Sequence, residues 1–158
     1  MHIIPAHISD AKAITELTLR SKNHWNYGEA QIEAWYDELE VSEAFIHTNA
    51  VYKLLVNDQI AGFYAYTLDS NKAVLEFLFI APECIGKGIG KALMEHFLNK
   101  MHNLKVDSIT LDADPHAEGF YQKFGFVTVD QRPSSIAGRY LPIMQLDLTT
   151  KMKNTQTI

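Results

Sequence analysis

Apolar positions along the chain change their spacing several times, and each change marks an element. His2 to Ile4 is short and ends in β-branched residues, which predicts an opening strand. From Asp10 to Arg20 the apolar side recurs at Ala11, Ile14, Leu17 and Thr18, a helical spacing with Ser9 or Asp10 as its cap. Lys22 to Gly28 breaks the pattern, and Glu29 to Leu39 resumes it through Ile32, Trp35, Tyr36 and Leu39. The period then shortens. Val51 to Val56 and Gln59 to Leu68 read as strands about an Asn57-Asp58 turn, and Ala73 to Ala81 reads as a third after Asp69-Ser70-Asn71. Gly88 to Met101 is helical, with Ile89, Leu93, Phe97 and Met101 on one face. Ser108 to Ala113 predicts a strand. Pro115 to Phe124 predicts a short helix with proline in its first turn and Gly125 as its stop, and Phe126 to Gln131 and Tyr140 to Leu148 predict closing strands.

The only strand–helix–strand crossover with a long helix runs from 73–81 through 88–101 to 108–113, so that strand pair should be parallel and the others antiparallel. The expected fold is α/β: a mixed, mostly antiparallel sheet with one central parallel pair and helices on both faces. Residues 1–148 are expected to form one domain, as suits a chain of 158 residues, with 149–158 a disordered tail.

Composition narrows the chemistry. The formal net charge of −5 disfavours a nucleic-acid backbone as partner. One cysteine, Cys84, excludes an internal disulfide, and the histidines lack zinc-ligand spacing, so no metal is expected. The N-terminal residues lack the charged and apolar regions of a secretory signal. The richest apolar run, 73–82, is broken by Glu76 and too short to span a bilayer, so a cytoplasmic location away from membranes is expected.

The strongest local feature is Gly86-Lys87-Gly88-Ile89-Gly90-Lys91, between a strand and the long helix. Alternate glycines let backbone N–H groups turn inward, and the helix adds its positive end, which suits a pyrophosphate. A Walker loop would need Ser or Thr where Ala92 stands, and the dinucleotide fingerprint has another glycine spacing. A glycine turn without a ligand is the alternative. The second feature runs from Asp114 to Phe126, Asp-Pro-His-Ala-Glu-Gly-Phe-Tyr-Gln-Lys-Phe-Gly-Phe.

With both motifs in this order, the chain resembles the GNAT superfamily of acyl-CoA-dependent N-acetyltransferases. There a strand ending in a hydrophobic-x-Pro segment leads into Arg/Gln-x-x-Gly-x-Gly/Ala and a helix. Here Phe77-Leu78-Phe79-Ile80-Ala81-Pro82 leads through Cys84-Ile85 into the glycine loop. The family's later Asn-x-x-Ala-x-x-x-Tyr-x-Lys-x-Gly-Phe corresponds to Asp114, Ala117, Tyr121, Lys123, Gly125 and Phe126. Ile85 stands where the family usually has Arg or Gln, and Asp114 stands where Asn is common. A carboxylate cannot donate the amide's hydrogen bond.

The resemblance implies transfer of an acetyl group from acetyl-CoA, the cosubstrate, to a primary amine by direct attack in a ternary complex. It implies a donor held by the backbone at Leu78, Phe79 and Ile80, by Gly86, Lys87, Gly88, Ile89, Gly90 and Lys91, and by Asp114 and Tyr121. The sheet would splay between the parallel strands to admit it. Tyr121 would protonate the departing thiolate; a tyrosine packed with Phe120 and Phe124 in the core is the alternative. Glu76 interrupts an apolar strand two residues before Leu78 and is the candidate base, with a pKa expected to rise by burial among Leu75, Phe77 and Phe79. The alternative is a paired or edge-exposed glutamate.

His24 and Trp25 are candidate acceptor contacts, since the segment between the first two helices covers the acceptor pocket in the family, and Arg139 could hold an acceptor carboxylate or pair with an acid. Between Asn23 and Tyr52 lie six acidic residues and no Lys or Arg, an attraction for a cationic amine or simply a solvated face. The expected partners are a small-molecule or protein amine, with a homodimer left open. A non-catalytic acyl-CoA-binding or sensing domain is the alternative function.

Overall fold

A computed structural model describes residues 1–149. The expected tail lies, but for Thr149, outside the described residues. Seven strands form a sheet in the order β1-β2-β3-β4-β5-β7-β6. They are β1 (His2–Pro5), β2 (Ala50–Val56), β3 (Gln59–Asp69), β4 (Lys72–Ile80), β5 (Ser108–Asp112), β6 (Val127–Pro133) and β7 (Tyr140–Asp147). The helices are α1 (Ala11–Asn23), α2 (Glu29–Ala34), α3 (Tyr36–Leu39), α4 (Glu43–Thr48), α5 (Ile89–Asn103) and α6 (Glu118–Gln122). The fold is therefore α/β, with β4 and β5 as its parallel pair and antiparallel pairs at β1–β2, β2–β3, β5–β7 and β6–β7.

The described residues form two compact units, 1–66 with 77–99, and 67–76 with 100–149. Strand β4 therefore divides between Glu76 and Phe77. In the first unit Ile14 and Leu17 of α1 meet Val41, Ile46, Val51, Phe63, Ala65 and Ala81 in a buried cluster, with Phe77, Phe79 and Cys84 packed against it. Thr15 pins the segment before α4: its hydroxyl donates to the Val41 carbonyl (3.2 Å) and accepts from the Val41 N–H (3.0 Å).

Gly62 in β3 is a contact glycine. A Cβ there would lie 2.9 Å from Leu93 Cδ1, 3.0 Å from the Phe79 carbonyl oxygen and 3.1 Å from Ile89 Cγ2. It lets α5 lie close on β3. Gly62→Ala is expected to destabilise the protein by about 1–3 kcal/mol, since the backbone carbonyl cannot yield as a side chain can. Thermal melts of the two proteins measure it, and an unchanged midpoint would show that α5 has slack.

In the second unit, the β4–β5 register covers Lys72/Ser108 to Val74/Thr110, while β4 itself continues to Ile80. β5 pairs with β7 along its whole length, and β6 pairs with β7 around an irregularity between Thr128 and Asp130.

Two expectations need correction. The helix expected over Glu29 to Leu39 is broken at Trp35, whose backbone (φ −92°, ψ 0°) leaves the helical region and separates α2 from α3. Trp35 is buried, and Lys22 Nζ lies 5.4 Å from its ring centroid. Helix α4 was not anticipated: Ser42 caps it by accepting from the Phe45 N–H (3.1 Å), but six residues are too few for a period to show. The helix expected over Pro115 to Phe124 begins as a 3₁₀ turn, Pro115–Ala117, and continues as α6.

Candidate active site

The glycine loop in the first unit follows β4 and a 3₁₀ turn at Pro82–Cys84. Gly86 (φ +83°) and Gly88 (φ +79°) hold left-handed backbone, which β-carbon sterics deny to other residues at low cost. A Cβ at either would meet nothing within 4 Å, so the loop opens to solvent. The Ala92 N–H bonds to the Gly88 carbonyl (3.1 Å), which makes Gly88 the residue from which α5 starts. The N–H groups of Ile89, Gly90 and Lys91 therefore have no carbonyl of their own helix to bond. Together with the helix dipole these donors suit an anion. Lys87 is exposed, and Lys91 lies 3.9 Å from Glu95 one turn on. Ile85, in the place of the family's Arg or Gln, is 48% exposed and offers only apolar surface. Leu78, Phe79 and Ile80 are half-buried; the Phe79 ring packs against Phe63 while its carbonyl faces Gly62.

In the second unit, Tyr121 of α6 is buried, edge-on to Phe120 (5.3 Å between centroids) and Phe126 (5.8 Å). Burial pushes its phenol well above the ordinary tyrosine value, and the charge of Asp114 adds to the rise. The phenol therefore keeps its proton beyond the ordinary tyrosine range.

Asp114 caps the 3₁₀ turn that leads into α6. Its Oδ1 accepts from the His116 N–H (2.9 Å) and faces His116 Nδ1 (2.8 Å). Its Oδ2 accepts from Arg139 Nη2 (3.1 Å), with both side chains about 15% exposed. Arg139 also donates from Nη1 to Ser134 Oγ (2.9 Å). The structure thus joins Asp114 and Arg139, which the sequence reading held apart as donor and acceptor contacts. It adds His116 and Ser134, which that reading missed. The Asp-Pro-His run carried a signal for the first, since an aspartate before proline commonly caps its own turn. Nothing in the spacing reports the arginine 25 residues on.

Glu76 is exposed, contrary to the expected burial among Leu75, Phe77 and Phe79. Along β4, Ala73 and Leu75 are buried while Val74 and Glu76 face out, so strand alternation puts the carboxylate on the open side. The Thr67 hydroxyl donates to its Oε1 (3.0 Å). The carboxylate stands accessible to solvent and solute.

His24 follows α1 and meets Trp25 edge-on at 4.9 Å, with Trp25 45% exposed. The acidic residues Glu29, Glu33, Asp37, Glu38, Glu40 and Glu43 are all exposed, as a solvated face requires. Cys84 packs against the first unit's core. Among the described residues no group of three His, Cys, Asp or Glu is placed to hold a metal, and no helix is long and apolar enough to cross a membrane.

The uncharacterized N-acetyltransferase ycf52 of Gracilaria tenuistipitata var. liui is 27% identical over 104 residues, 65% of this chain and 56% of its own length. The chain thus spans little more than half of that curated relative. The peptidyl-lysine N-acetyltransferase YjaB of Salmonella typhimurium is 27% identical over 143 residues, covering 82% of this chain and 97% of its own. Among solved structures, the PaiA N-acetyltransferase of Thermoplasma acidophilum, in complex with coenzyme A, shares the fold. Its TM-score is 0.77 at 23% identity, over 92% of this chain and 98% of that one. The family model described as an acetyltransferase (GNAT) domain matches residues 11–148, most of the chain and both motifs: the chain belongs to the GNAT acetyltransferase family.

Proposed function

We propose that the protein transfers the acetyl group of acetyl-CoA to a primary amine by direct attack in a ternary complex. The observation that carries this reading is the glycine loop. Left-handed backbone at Gly86 and Gly88, open space above both, and the N–H groups that begin α5, which lack a carbonyl of their own helix, would make a cradle for the donor's pyrophosphate. The coenzyme A bound to the Thermoplasma relative of the same fold supports that choice of donor. The backbone of Leu78, Phe79 and Ile80 would hold the amide-rich arm as an added strand is held, and Asp114 stands at the family's position for a donor contact.

The chemistry balances with two proton carriers. The amine nitrogen attacks the thioester carbonyl and the carbon–sulfur bond breaks. Glu76, directly or through water, takes the proton the amine sheds. Tyr121 gives one to the departing sulfur. His24 and Trp25 would line the acceptor side. The acceptor is a small-molecule amine or an exposed lysine, the latter supported by the YjaB relative. The reading needs no metal and places the protein in the cytoplasm.

A panel of small amines and lysine peptides, assayed for coenzyme A release from acetyl-CoA, tests the proposal. Release that depends on the amine supports it. Tight donor binding with no release from any amine would point instead to an acyl-CoA-binding or sensing domain.

Glu76→Gln tests the base. The amide keeps an acceptor for Thr67, so the melting temperature should hold while kcat at neutral pH falls about tenfold to 100-fold. Part of the loss should return as rising pH supplies neutral amine from solution. A constant ratio of variant to wild type across the pH–rate profile removes Glu76 from the mechanism.

A further inference from the structure

We propose that Asp130 and Pro133 close the edge strand β6 against pairing with the β6 of a second copy of this chain. β6 is the last strand of the sheet, with β7 on one side and, among the described residues, no strand on the other. All seven of its residues are exposed, Val127 at 59% and Val129 at 54% among them. Such an edge presents its outward N–H and C=O groups to any extended chain. An identical edge fits it about a twofold axis, and exposed valines add to the attraction.

Pro142 fixes which groups point outward. In an antiparallel pair, residues directly opposite each other exchange two backbone bonds or none. Gln131 stands opposite Pro142, which has no N–H to give. The Pro142 carbonyl accepts from the Ala113 N–H (2.8 Å), just past β5, and β5 lies on the far side of β7 from β6. Gln131 therefore turns its own N–H and C=O away from β7, out of the sheet. Pro133, two residues on, shares that direction and has no N–H. From Asp130 to Pro133 the edge thus keeps one outward donor, the Gln131 N–H, and Asp130 Oδ1 accepts it at 2.8 Å. Towards the other end Val129 has no partner in β7, and an extra residue of this kind bends a strand.

A second copy would lie antiparallel about Gln131, where each Gln131 N–H would donate to the other's carbonyl at the centre of the new ladder. The Asp130 carboxylate takes up that donor, and Pro133 withholds the next. This closure is independent of the acetyltransferase chemistry, since neither residue is placed in that site.

The test is sedimentation velocity on the full chain over a wide range of concentration, with melts to confirm folding. The variants are Asp130→Ala, Asp130→Asn, Asp130→Ala/Pro133→Val and Asp130→Ala/Gln131→Pro. Asp130→Ala frees two donors per dimer and should tighten self-association about tenfold or more over wild type. Asp130→Ala/Pro133→Val should associate at least as tightly. Asp130→Asn keeps an acceptor oxygen without the charge and should behave as wild type. Gln131→Pro, added to Asp130→Ala, removes the freed donor and should return the protein to wild-type behaviour. Equal association of wild type and both opened variants would overturn the proposal. So would Asp130→Asn associating as Asp130→Ala does, since charge alone would then guard the edge. A wild-type dimer dispersed by Gln131→Pro would overturn it too, because the edge would already be open. Amide exchange of Gln131 in dilute wild type reads the bond without any substitution: slowed exchange supports the closure, and exchange at the rate of a solvated amide overturns it.

Discussion

Tyr121→Phe is expected to lower kcat by roughly 10²-fold, the lower end of the 10²–10⁴-fold range for a general acid, while acetyl-CoA affinity barely changes. The substitution keeps the ring and its edge-on contacts with Phe120 and Phe126, so packing survives. Only the hydroxyl is lost. The lower end follows from the environment. Burial keeps the phenol protonated and ready to donate, but the same burial makes a free phenolate costly. As the acid, Tyr121 would share its proton with the sulfur rather than surrender it outright, and the remaining barrier reduction would come from elsewhere in the site. The measurement is a comparison of kcat and of calorimetric donor affinity in the two proteins, with chemistry shown to limit turnover. Equal kcat values would return Tyr121 to the core.

Gly88→Val is expected to weaken acetyl-CoA binding by about 100-fold or more. Two effects combine. A β-branched residue resists the left-handed backbone that Gly88 adopts at φ +79°, so the turn into α5 must shift. The new side chain also fills space that is open now and that the donor's phosphates would need. Losing two charge-assisted hydrogen bonds at about 1.5–3 kcal/mol each accounts for a change of that size. Calorimetry with coenzyme A reads it directly, and a melt run beside it separates lost affinity from lost fold. Unchanged affinity in a folded variant would disprove the cradle.

Much of this molecule was legible in its sequence because the features are local. The apolar stripe Ile89, Leu93, Phe97 and Met101 is buried in α5 as its spacing required. Asn57 and Asp58 both adopt positive φ in the turn between β2 and β3, a conformation these residue types accept more readily than most. The parallel pairing of β4 with β5 followed from one long crossover helix and the rule that such connections join parallel strands. The glycine loop was readable because the left-handed backbone at Gly86 and Gly88 favours glycine, which has no β-carbon to clash.

What the tertiary structure decided are the matters that depend on which neighbour arrives. Trp35 fits a helical stripe, and only the folded backbone, at φ −92° and ψ 0°, shows that the helix breaks there. Glu76 sits in an apolar run, which suggests burial, yet strand alternation and the side of β4 left open place it in solvent. The pairing of Asp114 with Arg139 is the clearest case. Each residue has several plausible partners along the chain, and a charge carries no sequence mark of the one it will meet. Local conformation is set by steric terms within a few residues, which a sequence displays. Ion pairs and exposure are set by distances through space, which only the folded chain supplies.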